Sequence, residues 1–428
     1  MLLFGQKNIR LLIITTLSFL FVVFFEIYNP LSYLLLFSLM AWTIYRLNGK
    51  VLLCANVLFL VFFGYTACLG PFFLMLEDFE LNYDCFSILL GGLLAFTWGN
   101  ATNENEIPSP IMDKGRVEFE FPRVEALKIL YAISALAACY FFYKNRSLLA
   151  GDLNGNRIEA QSGMGAILYI SQLPILIVPM IYDLYDWGRK HGRSLITGVE
   201  MLFYIGLSSV LLLLSGFRAP VLTMYICLAI LYIHKNRISS KKILLVGVVF
   251  IVIIETMGMM RSSMSGEETN ETFLLSLGKS LIVNDLNLSY IFRVFPENTP
   301  FQYGYTYLLN LIMLKPGPDL DFTMWLKETL NIEFSGGGVT PTIVGEFYIN
   351  FGTVGIYVGM FLLGMLGNYI NRYFLYHSTT FLGAFYVWQF AHCASGGLAN
   401  VMILVILYTI LYWIIIRFPM EYTVESKG

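Results

Sequence analysis

The chain has 428 residues, of which 57% are hydrophobic and only 13% charged, with a net charge of −2. That charged share is about half the share of an ordinary soluble domain. A near-neutral balance excludes a global role in nucleic-acid binding, and a soluble fold of this length could not bury so many uncharged stretches. Segments long enough to cross about 30 Å of hydrocarbon recur along the chain, and lipid leaves no place for unpaired backbone amides, so they are read as membrane-spanning helices.

The chain opens with Lys7 and Arg10 ahead of an apolar run. Phe25-Glu26-Ile27-Tyr28-Asn29-Pro30 follows it in place of a small-x-small cleavage site, which predicts a retained first helix. The predicted spans are 11–27, 30–45, 51–70, 83–100, 124–143, 165–182, 195–215, 219–233, 243–260, 352–371, 379–394 and 398–416. With the N-terminus inside, the inner segments hold 17 Lys and Arg and the outer ones 9. Five of those nine lie in one long loop, where charge constrains orientation least. Lys128 sits one turn inside a span and is read as snorkelling to the inner face. The expected fold is all-α, a polytopic integral membrane protein of about twelve transmembrane helices with both termini cytoplasmic. Residues 1–260 hold the first nine spans, 261–340 one large extracytoplasmic loop, and 341–428 a re-entrant helix and the last three spans, in one integrated membrane domain. Cys54, Cys68, Cys85, Cys139, Cys227 and Cys393 all fall in or beside apolar segments with no CxxC spacing, which predicts neither disulfides nor structural zinc.

The long loop begins polar and then becomes moderately apolar at 272–295 and 301–314, a pattern that predicts amphipathic helices folded over the outer membrane surface. Lys315-Pro316-Gly317-Pro318 ends the second of these. Ser335-Gly336-Gly337-Gly338-Val339-Thr340-Pro341-Thr342 then leads into Ile343-Val344-Gly345-Glu346-Phe347-Tyr348. Thr340 is placed to cap a helix with Pro341 in its first turn. Gly336, Gly337 and Gly338 before that N-terminus form a backbone able to approach an anion. The plain alternative is a hinge returning the loop to the membrane. Residues 341–371 stay apolar for about 46 Å of helix, too long for one simple span. A break is therefore expected at Asn350-Phe351-Gly352, leaving a short re-entrant helix that carries Glu346.

Charged groups on the outer side narrow the candidate chemistry. Arg218 lies in the tight turn Ser215-Gly216-Phe217-Arg218-Ala219-Pro220, Arg261 ends the ninth span, and Arg293 follows Tyr290-Ile291-Phe292. The guanidinium fork matches phosphate oxygens, and the competing role is anchoring to lipid headgroups. Candidate acid–base groups are Glu346 and His392, with Glu200 and Glu255 inside spans; His191, His234 and His377 fall on the cytoplasmic side. Glu77-Asp78-Phe79-Glu80 and Asp319-Leu320-Asp321 could in principle take a divalent cation, but short acidic pairs in solvated loops are common, and no metal or other cofactor is expected.

The run from Gly336 through Gly352, followed by Gly355 and Gly359-Met360, resembles the Wzy-type oligosaccharide repeat unit polymerases, as does the Ser215-Gly216-Phe217-Arg218 turn upstream of a long outer loop. The resemblance covers roughly residues 200–375. It implies a membrane glycosyltransferase at the periplasmic face of a bacterial inner membrane. Such an enzyme passes a growing glycan from one undecaprenyl diphosphate to a repeat unit on another, making O-antigen or a capsule-like polysaccharide. The implied partners are the two lipid-linked oligosaccharides, the bilayer and a chain-length regulator protein, with no nucleic acid. On this reading Arg218, Arg261, Glu346 and His392 are catalytic candidates, while Arg293, Gly336, Gly337, Gly338, Thr340 and Tyr348 are substrate-binding candidates. O-antigen ligases are similar in architecture and use a histidine in the large outer loop, but this chain has none from 235 to 376. A flippase for the same lipid-linked oligosaccharide is the other alternative, though it has no need of so long an outer segment.

Overall fold

The computed structural model describes residues 6–76, 83–102, 124–149, 163–193, 195–213, 219–236, 238, 273–312, 321–333, 338–376 and 381–416. Every regular element among the described residues is helical. The first half contains α1 (Gln6–Phe24), α2 (Pro30–Leu47), α3 (Ala55–Phe63), α4 (Leu69–Leu76), α5 (Tyr83–Ala101), α6 (Val124–Leu149), α7 (Gly165–Ser171), α8 (Pro174–Lys190), α9 (Gly198–Leu213) and α10 (Ala219–Lys235). Then come α11 (Phe273–Val294), α12 (Thr306–Ile312), α13 (Phe322–Thr329), α14 (Thr342–Tyr376), α15 (Phe381–Gly396) and α16 (Leu398–Ile416). A π-helical stretch, Gly64–Cys68, joins α3 to α4.

Six described helices are long and apolar enough to cross a membrane, and Asn8–Phe24, Ser87–Ala101, Gly198–Leu213 and Ala219–Lys235 are shorter apolar helices. The protein is thus an all-helical integral membrane protein. Each predicted span overlaps a helix except 243–260, which lies outside the described residues. Local sequence accounts for several helix starts. Asn29 and Ser32 form a reciprocal capping box on α2, with Pro30 in its first turn. Thr197 and Glu200 do the same for α9, the Thr197 amide lying 2.8 Å from Glu200 Oε2 and the Glu200 amide 3.2 Å from Thr197 Oγ1. Glu200 also faces Lys128 at 3.8 Å on an exposed surface. The carboxylate singled out as lying inside a span therefore caps a helix, and Lys128 pairs with it.

The centre of the fold is the contact of α14 with α5, and of α15 with α3 and α14. Gly99 and Gly364 lie against the partner helix backbone, so that a Cβ on either would overlap a carbonyl oxygen, Phe361 or Phe96 respectively. Small residues of this kind let membrane helices approach closely. Phe59, Phe96 and Phe390 stack beside this seam. At one end of it, five asparagines from α2, α3, α5 and α14 share amide hydrogen bonds. Asn56 Nδ2 donates to Asn368 Oδ1 at 2.8 Å and also to Asn100, and Asn371 Nδ2 donates to Asn48 Oδ1 at 3.0 Å.

The same end holds a buried ion pair. Lys235 Nζ at the close of α10 lies 2.7 Å from Asp183 Oδ1 and 3.4 Å from Asp186 Oδ2 of α8. Asp183 Oδ2 accepts the amide of Phe381, the first residue of α15, at 2.8 Å. Three helices are tied by one carboxylate. Removing one partner of a buried pair strands the other charge, at a cost of about 3–5 kcal/mol. Lys235→Ala should therefore lower the thermal unfolding midpoint of the detergent-purified protein by several degrees. The double change Lys235→Met with Asp183→Asn should recover part of that loss; equal midpoints for wild type and Lys235→Ala would remove the pair from the account of stability.

Candidate active site

Residues 273–376 build a second, smaller core on the end opposite the ion pair. Ile291 and Phe295 of α11, Leu309 of α12, Phe322 and Leu326 of α13, and Ile349 of α14 are buried together with Ala399 of α16. Helices were expected at 272–295 and 301–314, where α11 and α12 lie, whereas α13 is a helix the sequence reading did not name. Asp321 caps α13, its Oδ1 accepting the Met324 amide at 2.7 Å, so one of the acidic residues weighed for metal binding has a backbone role. Asp319 and the Glu77–Glu80 cluster lie outside the described residues.

The glycine-rich approach to α14 divides at this point. Gly336 and Gly337 fall outside the described residues. Gly338 packs so tightly on Thr323 that a Cβ would overlap it, and the next amide, Val339, donates to the Thr323 carbonyl at 3.0 Å. Thr340 is exposed and bonds to α11, its Oγ1 lying 3.2 Å from Asn284 Oδ1. The helix begins at Thr342, whose Oγ1 takes the Gly345 amide at 3.5 Å, so the capping position lies two residues beyond the one expected. Residues 341–347 are all buried. The first turn of α14 is covered by protein.

The expected break in α14 falls at Gly352, which has φ 65° and ψ −159° inside an otherwise helical run. That region of backbone space is open essentially to glycine alone. Asn350 secures the chain just before the break, its Nδ2 donating to Thr306 Oγ1 at 2.7 Å and its Oδ1 accepting the Gly304 amide at 2.8 Å.

Glu346, on the short first part of α14, is fully buried. Its Oε1 accepts the Ala399 amide at 2.9 Å and its Oε2 accepts the Leu398 amide, so both carboxylate oxygens cap the N-terminus of α16. Gly397 makes this possible: it has φ +79°, and a Cβ there would strike the carboxylate. Burial, and then the Glu346 charge, push the Tyr307 phenol above its ordinary value. His392 lies on the last turn of α15, half-buried and stacked on Trp388 at 5.7 Å between centroids. Its ring has no hydrogen-bond partner among the described residues. Glu346 and His392 are thus gathered at the α15–α16 turn.

Tyr348 follows Glu346 by two residues, about 200° around the helix, and faces the other way. There it joins Arg293 in a cavity of about 430 Å³ between α5, α11 and α14, with Ser87, Phe292, Thr353 and Tyr357 in the lining. The Phe292 and Tyr348 rings meet edge to face at 4.4 Å, and the Tyr348 hydroxyl donates to the Phe295 carbonyl at 3.3 Å. A cation, aromatic faces and hydroxyls form a lining suited to an anionic or sugar-bearing ligand. Sequence reasoning had named Arg293 and Tyr348 but not Ser87, Thr353 or Tyr357. Thr353 was legible as the residue after the break, whereas Ser87 reaches the cavity only because α5 packs on α14. Arg218 and Arg261 lie outside the described residues, as does Glu255. Among the described residues, no three His, Cys, Asp or Glu side chains converge as a metal site would require.

Fold and site together define an integral membrane protein with an arginine-bearing, aromatic cavity beside a broken helix. Its sequence matches the family described as "Putative O-antigen polymerase" over residues 9–412, and the chain belongs to that family. An uncharacterized protein of Methanocaldococcus jannaschii is 27% identical over 216 residues, 47% of this chain and 57% of that protein, so the chain spans little more than half of that relative's length. No solved structure matches the chain.

The cap by Glu346 has a direct energetic consequence. Glu346→Ala would leave the buried Leu398 and Ala399 amides without acceptors, at about 1–3 kcal/mol each. The variant should unfold at a clearly lower temperature in detergent, with Glu346→Gln in between, because a single amide oxygen remains. An unchanged midpoint for Glu346→Ala would show that the cap contributes nothing to stability.

Proposed function

We propose that the protein joins undecaprenyl-diphosphate-linked oligosaccharide repeat units into a polysaccharide at the periplasmic face of a bacterial inner membrane. Family membership supports polymerisation, and the charge split along the sequence supports about twelve spans with both termini cytoplasmic. The observation that carries the reading is the cavity in which Arg293 and Tyr348 meet beside the break in α14. It lies where a broken helix lets polar groups meet an otherwise apolar span, which supports a site for a lipid headgroup.

In the reaction, a hydroxyl of the incoming repeat unit attacks the anomeric carbon of the growing glycan. The new C–O bond is glycosidic, the bond to diphosphate breaks with its electron pair on the leaving oxygen, and the hydroxyl proton passes to a base. Two lipid diphosphates must be held, and Arg218, Arg261 and Arg293 are the groups proposed to hold them. Preorganised donors aimed at the departing charge lower the barrier without reorganising as it develops. Gly336, Gly337, Gly338 and Thr340 are the residues proposed to bind substrate beside the arginines. Of the two base candidates, His392 is the freer, because Glu346 is occupied by α16. The chain-length regulator remains a proposed partner, and the chemistry asks for no metal, since arginines can neutralise the diphosphate.

If Arg218 grips the leaving diphosphate with its planar fork, Arg218→Lys should lower turnover by about 10²- to 10³-fold with little change in KM. Near-normal polymer from the lysine variant, at matched membrane protein level, would make it a headgroup anchor instead. Purified protein given lipid-linked repeat units should also polymerise undiminished in excess chelator. Activity lost there and restored by magnesium or manganese would overturn the metal-free chemistry.

A further inference from the structure

Several threonine hydroxyls inside the described apolar helices are silenced locally. Thr15, Thr16, Thr43, Thr66, Thr97 and Thr409 each turn their Oγ1 to the carbonyl four residues back. Thr353 cannot do this: the carbonyl four residues back, Ile349, is at the break and accepts the Gln302 amide at 2.9 Å. Neither the Thr353 nor the Tyr357 hydroxyl has a partner among the described residues, and both line the cavity with Arg293. Both residues are exposed at the cavity mouth, so their hydroxyls are open to a polar ligand.

The cavity also continues into an apolar surface. Below Thr353, the second part of α14 exposes Val354, Val358, Leu362 and Leu366 at successive turns, a strip leading from the cavity down the span. A polar head pocket joined to an apolar strip along a membrane helix matches one ligand shape, a phosphate-bearing head on a long hydrocarbon chain. Among the described residues the lining holds no carboxylate and no histidine, and the base candidates Glu346 and His392 lie across α14 from it. A bond broken at the cavity would therefore have no proton acceptor among the described lining residues.

We propose that this cavity seats the diphosphate head of the acceptor lipid, the one whose own phosphate–sugar bond stays intact, between Arg293 and the hydroxyls of Ser87, Thr353 and Tyr357, with its polyprenyl chain along Val354, Val358 and Leu362. The inference rests on the polymerase reading and adds which of its two lipids the cavity takes. The acceptor hydroxyl lies at the far end of the repeat unit from its diphosphate, so a head site displaced from the reacting centre is what the geometry of that substrate demands.

A group that holds a non-reacting head binds ground state and transition state alike, so its loss raises KM and spares kcat. The double variant Thr353→Val with Tyr357→Phe removes two oxygens from surface-facing positions, and its unfolding midpoint should match wild type. With lipid-linked repeat units it should show KM raised by tenfold or more and kcat within about twofold. A fall in kcat at unchanged KM would place the departing diphosphate in the cavity and overturn the assignment, as would no change in either constant. Direct binding of sugar-free undecaprenyl diphosphate to protein in phosphatidylcholine nanodiscs should weaken by a similar factor in the double variant. Displacement of that ligand by phosphatidylglycerol would show an ordinary headgroup site and overturn it too. Wild type that binds undecaprenyl diphosphate tightly but makes no polymer would overturn the polymerase reading, and the acceptor assignment with it. An unweakened affinity in the double variant, beside a polymerising wild type, would overturn the acceptor assignment alone.

Discussion

A buried carboxylate at a helix N-terminus organises the end of this protein that holds the candidate site. The first amides of a helix have no partners within it, and together with the macrodipole they present about half a positive charge. Glu346 meets two of those amides on α16 with its two oxygens. Because Glu346 belongs to α14, this fixes the short first part of α14 against the turn between α15 and α16. Asn310 of α12 completes the junction by donating to the Ala399 carbonyl at 3.0 Å and to Asn400 Oδ1 at 2.8 Å. Asp183 performs a similar task at the start of α15. The α15–α16 hairpin is thus held at both ends by carboxylates from elsewhere in the chain.

With Glu346 fixed, the rest of this region follows. The helix must stop before it enters the span, and Gly352 provides the one backbone conformation that turns it. The break frees backbone and side-chain polar groups that a continuous helix would have paired. Asn350 and the 302–306 segment consume some of them, and the others line the cavity with Arg293. Glu346 and His392 are consequently separated from Arg293 and Tyr348 by the thickness of one helix. For the proposed reaction between two lipid-linked substrates, that separation would grip the acceptor far from the atom that reacts.

Much of the fold was legible because the bilayer imposes a simple rule. Hydropathy located the helices, and the length of the 341–371 run demanded a break that the glycine at 352 then allowed. The Thr197-x-x-Glu200 spacing was equally legible as a capping box, yet the general expectation that a charge inside a span is functional obscured it. Thr340 was placed as the cap of α14 from its position before proline, but the packing of Gly338 on Thr323 and of Thr340 on Asn284 moves the helix start to Thr342.

The sequence by itself determined the membrane class, the helix positions, the break in α14 and the candidate status of Arg293, Tyr348, Glu346 and His392. Those properties depend on composition and on spacing along one segment, where backbone geometry is periodic. Only the tertiary structure decided that Glu346 is spent on the amides of α16, that Asp183 and Lys235 form a buried pair, and that Ser87 joins Thr353 and Tyr357 around Arg293. Each of these unites residues distant in the chain, and their contact depends on how helices pack, through the close glycine seam of α5 on α14 and the burial of charges that must then find partners. No local pattern encodes which amide a buried carboxylate will meet.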